Sequence, residues 1–542
     1  MKKVLSFLNE EIHGISLKEV ITVSIILILY GILAFYRLGN TYGVQSFYRT
    51  DADNEIIFSF DEETDVIKMK YFTGENNSVF RIYESSDNEE YFLVDEVDSI
   101  ESFTWKDLRI ARKSKFIKFE ILDSFSMGEV AFYNNQKEYI PYTTSTTLLN
   151  DEKDLIPDHM SYMNSSYFDE VYFARTAYQY AHGMQTFEWT HPPLGKIIQA
   201  IPIFLFHTFN PFLYRFMGTF AGILMLLILY IFGAVLFKKR GYAILSSFLM
   251  AIDTFHYAHT RMGTVDSHLV LFIMISSLFM LLYLQKNKNY YLLLSGIFFG
   301  LSVSVKWTGF YAGLGLAIVY FYDFIKNKKD LLESIVKGAV FFVVIPLIIY
   351  TSWFLLFPNN YYHTDSLNSV VKEQKIMYEY HSSMNLDHPF SSDWYTWPIS
   401  YKPVWYHQTD LMNDSEESIS GVGNFILWIG GIFGFFYCVY RIFKKDKNAF
   451  FLVVMMLSLW LPYIFIGRVM FLYHYFPVLP FLFLGTVLSL KNLTEEYHSK
   501  LIIPVYLFLG LLFFILYFPV ISGQPVTYKY ADWLKIFYSW YF

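Results

Sequence analysis

Residues 20–36 read VITVSIILILYGILAFY, an uncharged apolar run long enough to enter a bilayer as a helix. The change of character just beyond it decides the fold. From residue 45 to residue 160 the chain turns polar and acidic. Its apolar residues there alternate, as in Val66-Ile67-Lys68-Met69-Lys70-Tyr71 and Phe116-Ile117-Lys118-Phe119-Glu120-Ile121. Turn-forming clusters, Gly74-Glu75-Asn76-Asn77 and Ser85-Ser86-Asp87-Asn88, separate such runs. Alternation with period two is the pattern of a strand with one buried face. An all-β sandwich is therefore predicted over 45–160, inserted directly after a membrane helix.

Beyond residue 190 the apolar runs return. Their lengths predict spans near 211–237, 242–257, 268–285, 290–306, 308–325, 333–356, 421–442, 449–466, 470–488 and 501–520. The apolar stretch 192–208 opens on prolines and is read as lying flat or re-entering. The N-terminal tail (MKKVLSFLNE) is too polar for a simple cleaved signal, so 20–36 is read as a retained anchor. Composition agrees: 54% of residues are hydrophobic and only 17% charged, against about 25% charged in soluble domains. A net charge of −7 gives no sign of nucleic-acid binding. The single cysteine, Cys438, excludes a disulfide within the chain.

Charge fixes the orientation. Lys2 and Lys3, Lys238-Lys239-Arg240, Lys286 and Lys288, Lys326 with Lys328-Lys329, and Lys444-Lys445 with Lys447 all fall on one side of this layout. Lysine and arginine concentrate in cytoplasmic loops. The expectation is an all-α polytopic protein of the cell membrane with eleven transmembrane helices, N-terminus inside and C-terminus outside. Its segments are 1–44 (tail and first span), 45–160 (extracytoplasmic β-sandwich), 161–356 (catalytic loop and first membrane module), 357–420 (outer loop) and 421–542 (second membrane module and tail).

Charged groups at membrane depth are costly and mark function or a structural pair. Asp169-Glu170 precedes the return to the membrane; adjacent carboxylates suit a base and an orienter, and equally a solvated acidic loop. His191-Pro192-Pro193-Leu194-Gly195-Lys196 is a helix start that presents His191 and Lys196 to a ligand or lets the lysine snorkel. In His259-Thr260-Arg261-Met262-Gly263-Thr264-Val265-Asp266, Arg261 and Asp266 either pair to hold a turn or divide the binding of a phosphate. Lys306 lies at the junction of two predicted spans and needs an anion or a route to the surface. Arg468 and His474, in Gly467-Arg468-Val469-Met470-Phe471-Leu472-Tyr473-His474-Tyr475, make a similar case. There is no P-loop, no dinucleotide-binding glycine pattern, no H-E-x-x-H spacing and no cysteine pair for zinc.

In order along the chain, these pieces resemble the protein O-mannosyltransferase family. The match adds Tyr214-Arg215 with Gly218, Lys306-Trp307-Thr308-Gly309, Trp394-Tyr395-Thr396-Trp397-Pro398 with Pro403-Val404-Trp405-Tyr406, and Gly423-Asn424 before Leu427-Trp428, and runs on to Pro477. The resemblance implies the GT-C glycosyltransferase fold and a polyprenyl-phosphate-linked mannose donor. It implies a Ser or Thr hydroxyl of an exported protein as acceptor, with inversion at the anomeric carbon and an active site on the extracytoplasmic face. Carried over, Asp169 is the general base and Glu170 orients the site. Arg261, Asp266, Lys306 and Arg468, with His474, His191 and Lys196, serve the donor, while Arg215, Asn424 and Tyr406 are structural or on the acceptor side. The loop 357–420 is too short for the β-trefoil of eukaryotic members, so the chain resembles the bacterial branch. The 45–160 insert is similar to discoidin-type, galactose-binding-like sandwiches, as in Arg81-Ile82-Tyr83-Glu84-Ser85-Ser86-Asp87 and Gly128-Glu129-Val130. It recruits acceptor or acts as a stabilising cap. No cofactor is demanded; a divalent metal stays open, as does the oligomeric state. Two other readings are a GT-C transferase acting on a glycolipid or cell-wall polymer, like the lipid A aminoarabinose transferases, and a transporter or sugar sensor. Against transport, the charges cluster at loop ends on one side and no internal repeat is visible.

Overall fold

A computed structural model describes residue 14 and residues 16–357, 366–383, 388–498 and 501–542. Lys2 and Lys3, and parts of the 357–420 loop, lie outside the described residues. The chain divides into two compact units. One comprises Met1–Tyr36, Trp189–Ile198 and Phe216–Phe542; the other comprises Arg37–Glu188 and Gln199–Arg215.

The first unit is helical. Helix α1 (Leu17–Phe35) starts on a capping box in which the Ser16 hydroxyl accepts from Glu19 N–H and the Glu19 carboxylate accepts from Ser16 N–H. Among the described residues, eight helices are long and apolar enough to cross a membrane: α1, Pro211–Phe237, Asp266–Lys286, Leu331–Leu356, Phe425–Phe443, Lys447–Phe465, Leu472–Tyr497 and Ile502–Ser522. The chain is a multi-pass membrane protein. Three further predicted spans fall on shorter or less apolar helices, Arg240–Ala251, Asn289–Val305 and Gly309–Lys326. The expected span 242–257 is interrupted. The helix stops at Ala251, and Asp253 caps a new one, Thr254–Thr260, by accepting from His256 N–H at 2.8 Å. An aspartate favours this capping geometry over a helix interior. The stretch 192–208 contains one short helix, Leu194–Phe206.

Helices approach closely where side chains are small. A Cβ on Gly434 would lie 2.8 Å from the Thr486 Cα, so only glycine permits this contact between Phe425–Phe443 and Leu479–Tyr497. Several of the basic clusters are paired: Arg240 with Glu19 at 3.0 Å, Lys239 with Glu495 at 2.6 Å and Lys329 with Asp323 at 2.7 Å. In a small antiparallel sheet, the central strand Ser415–Gly421 pairs with Val404–Leu411 on one side and with Pro525–Thr527 of the tail on the other. The segment 404–421 and the C-terminal tail thereby belong to one sheet. Trp540 is fully buried there and donates to the Ser400 carbonyl at 2.9 Å.

The second unit contains eight antiparallel strands between Tyr48 and Thr144. Period-two alternation puts Ile56, Phe58 and Phe60 from one strand and Ile117, Phe119 and Ile121 from its partner into a common core. Phe58 and Phe119 meet edge to face at 4.8 Å. The outward residues pair instead, as in Lys118 with Glu55 at 2.8 Å. The hydrogen bonds run through one sheet, not two: Glu55–Thr73 and Trp105–Ile121 are long, and their pairing shifts register between Ser59 and Thr64 and again between Val66 and Lys68. Such irregularities bend strands.

Candidate active site

The second unit also holds the acidic pair. Asp169 is the half-buried N-cap of the helix Glu170–Ala181, and Glu170 is its fully buried first residue. Arg215 meets Glu170 as a two-pronged fork, Nε to Oε1 and Nη2 to Oε2, both at 2.7 Å. Its remaining N–H groups donate to the carbonyls of Leu38 (2.9 Å), Tyr162 (2.7 Å) and Ser165 (2.9 Å). A guanidinium has five N–H donors, and these five bonds use them all. Tyr167 N–H donates to the same carboxylate at 3.1 Å. These bonds fasten Glu170 to the turn on which Asp169 stands.

In the first unit, the junctions between helices surround a cavity of about 950 Å³. His191 and Thr190, Lys306 and Trp307, His381, and Arg468 are among its lining residues. Lys306 terminates the helix Asn289–Val305 and is only 8% exposed. Its ammonium donates to Asp266 Oδ1 at 3.0 Å and lies 5.4 Å from the Tyr473 ring. Asp266 opens the helix Asp266–Lys286, where a carboxylate suits the partial positive charge of the helix end. Arg468 donates to His381 Nδ1 at 2.9 Å, and His381 Nε2 lies 2.8 Å from the Thr190 carbonyl oxygen. Burial, then the neighbouring His191 and Arg468, push the His381 pKa down to about 4, so this imidazole is neutral. Lys196 is fully buried with its Nζ on the His191 carbonyl at 2.8 Å. Facing it electrostatically is Glu373 on the loop helix Leu367–Ser383, whose pKa burial raises to about 7.

Arg261, His474, Asn424 and Tyr406 are not among the cavity's lining residues. Arg261 donates to the carbonyls of Ala34 (3.0 Å), Tyr36 (2.8 Å) and Ser522 (3.4 Å), closing the C-terminal ends of two membrane helices. His474 stacks on Trp397 at 5.8 Å and bonds to the Phe471 backbone. Asn424 is a helix cap that also donates to the Ile252 and Gly510 carbonyls, each at 2.9 Å. The Tyr406 hydroxyl meets His259 Nδ1 at 2.8 Å, and His259 Nε2 lies 3.9 Å from Asp266, linking the 404–411 strand to the Lys306 pair. Sequence reasoning missed His381, which stands in a polar helix with no motif around it. It also missed Asp253, whose carboxylate receives Trp428 Nε1–H at 2.7 Å. A lone aspartate in an apolar run was the available signal. Among the described residues the one acidic group close enough to hold a metal ion, Glu129, Asp151 and Glu152, is in the β-sheet unit and not at this cavity.

Residues 158–362 match the family described as dolichyl-phosphate-mannose-protein mannosyltransferase, and residues 366–540 match the C-terminal four-transmembrane region of protein O-mannosyltransferase. The second range holds the last four of the eight apolar helices. A polyprenol-phosphate-mannose–protein mannosyltransferase of Mycolicibacterium smegmatis is 23% identical, over 69% of this chain and 87% of that protein. The Mycobacterium tuberculosis protein of the same name is 24% identical, over 69% and 86%. The Saccharomyces cerevisiae protein O-mannosyltransferase Pmt1–Pmt2 complex bound to the sugar donor superposes with a TM-score of 0.61 at 14% identity, covering 70% of this chain and 89% of that one. The fold is therefore the GT-C membrane fold. The chain belongs to the protein O-mannosyltransferase family and is a glycosyltransferase.

Proposed function

We propose that this protein moves mannose, with inversion, from a polyprenyl-phosphate carrier to Ser and Thr hydroxyls of exported proteins at the extracytoplasmic face of the cell membrane. The observation that carries the reading is the cavity wall on which Lys306, Arg468 and His191 converge. A leaving phosphate needs preorganised positive charge and hydrogen-bond donors in a site that excludes water. Lys306 and Arg468 supply the charge, and Asp266 holds Lys306 in position. Asp169 is the base. It takes the acceptor proton as the hydroxyl oxygen bonds to the anomeric carbon, and the bond from that carbon to the phosphate oxygen breaks. The lipid phosphate leaves with the electron pair. A base requires a fixed stand, and the buried Arg215–Glu170 pair supports that role for its neighbour.

The membrane reading is eleven crossings: the eight apolar helices plus the segments 240–260, 289–305 and 309–326. The sheet that joins the outer loop to the tail supports placing both on one side. The 45–160 module, a single bent antiparallel sheet, is read as recruiting acceptor; unchanged peptide glycosylation after deletion of residues 45–155 would make it a cap instead.

The test is an acceptor screen. Purified protein in nanodiscs receives labelled polyprenyl-phosphate-mannose with either Ser/Thr peptides or glycolipids. Label on peptide is the expected result. Label on glycolipid alone would move the protein to the glycolipid-modifying reading.

A further inference from the structure

The loop helix Leu367–Ser383 packs against the cavity wall. Phe354, Val370 and Met377 form a small core with Trp189, Trp307 and Tyr350, and the Tyr350 hydroxyl donates to Gln374. His381 stands near the C-terminal end of this helix, its ring 5.4 Å from His191 and 5.9 Å from Trp307. Its two nitrogens have partners of opposite kind. Arg468 can only donate, so Nδ1 accepts; the Thr190 carbonyl can only accept, so Nε2 carries the proton. The two partners therefore select one neutral tautomer, and burial beside cationic neighbours keeps the ring from charging.

The geometry points to His381 as a positioning residue that aims Arg468 into the cavity and so sets affinity for the phosphate of the lipid carrier. Arg468 stands in the irregular segment 466–471, between the helices Lys447–Phe465 and Leu472–Tyr497. A guanidinium on such a segment has no rigid stem, and a neutral acceptor at 2.9 Å restricts it without neutralising it. A carboxylate in the same place would offset part of that charge, as Asp266 does at Lys306, whereas the neutral imidazole holds Arg468 with its charge uncompensated by this partner. The bond to Thr190 in turn ties the Arg468 anchor to the segment that opens into His191. This inference rests on the proposed donor site.

Asparagine and glutamine separate the two nitrogens. An asparagine amide oxygen overlies Nδ1 and can still accept from Arg468; glutamine reaches toward Nε2 and leaves Arg468 without its acceptor. His381→Gln is expected to raise the KM for polyprenyl-phosphate-mannose by about ten- to a hundredfold, the range for losing a charge-assisted hydrogen bond. Its kcat should stay within about threefold, and His381→Asn should keep both constants within about threefold of wild type. Binding of sugar-free polyprenyl phosphate, measured on the same monodisperse preparations, should follow the same order. Equal KM values for wild type and His381→Gln, or equal losses in both variants, would overturn the positioning role while leaving transferase function standing. If wild type binds polyprenyl phosphate in this variant order but transfers no mannose, the positioning role stands and the proposed reaction falls.

Discussion

The Arg215–Glu170 pair offers a quantitative test of how the turn that carries Asp169 is held. Both side chains have no exposure, and the pair shares five donor bonds and one added backbone donor. Glu170→Gln keeps the shape and removes the charge. Arg215→Met keeps the volume and removes the fork. Breaking one side of a buried ion pair costs about 3–5 kcal/mol, because the other charge stays buried and uncompensated. At about 1.4 kcal/mol per tenfold, that predicts a loss of hydrogen-exchange protection of roughly 10²–10⁴-fold in the helix Glu170–Ala181. Removing both charges should cost less than the sum of the singles, since two apolar or neutral groups tolerate burial. The assay is hydrogen exchange by mass spectrometry on nanodisc-embedded protein, comparing wild type, each single variant and the double. Protection losses below about tenfold in either single variant, or strict additivity in the double, would refute the claim that this pair fixes the turn.

The geometry predicts three further outcomes. Lys306→Met should abolish donor-dependent transfer and strand Asp266 as a buried anion; Asp266→Asn should keep the lysine and weaken transfer less, as read by initial rates at saturating peptide. Arg261→Lys should lower thermal stability, because a single ammonium cannot reach three carbonyls, while the KM for donor stays within about threefold; a rise in KM of tenfold or more with unchanged stability would return Arg261 to the phosphate. Glu373 is pushed up to about 7 from an ordinary glutamate value near 4.5. Its folded pKa lies above its unfolded one, so the stability it favours is present below about pH 4.5 and is lost as pH rises through about 7. Protection of the helix Leu367–Ser383 should therefore fall between pH 5 and pH 8 in wild type and lose that slope in Glu373→Gln.

The parts of the fold that were legible in the sequence are those with local periodicity. Val66–Tyr71 and Phe116–Ile121 alternate because one face of each strand is buried, and both lie in strands. The long apolar helices were legible for a similar reason, since a bilayer imposes length and composition on each one separately. Averaging over a window hid the break at Asp253, where a single capping side chain outweighs the apolar residues around it. At the site, Lys306 stood out as a charge between apolar runs, and its contact with Asp266 joins two clusters noted independently. Arg261 stood out equally, yet its partners are backbone carbonyls of two remote helices, which no side-chain pattern announces. The role of Glu170 likewise depends on Arg215 and three carbonyls brought together only by folding. His381 carried no signal, because a histidine in a polar helix looks the same whether it faces water or an arginine.

The most direct test of the central claim is single-turnover transfer of mannose from polyprenyl-phosphate-mannose to a Ser/Thr peptide, comparing wild type with Asp169→Asn. Donor affinity should remain within about threefold of wild type, while the rate of the chemical step falls by about 10²–10⁴-fold, the range attributable to a general base. Transfer by Asp169→Asn at close to the wild-type rate, with donor bound equally well, would contradict the account.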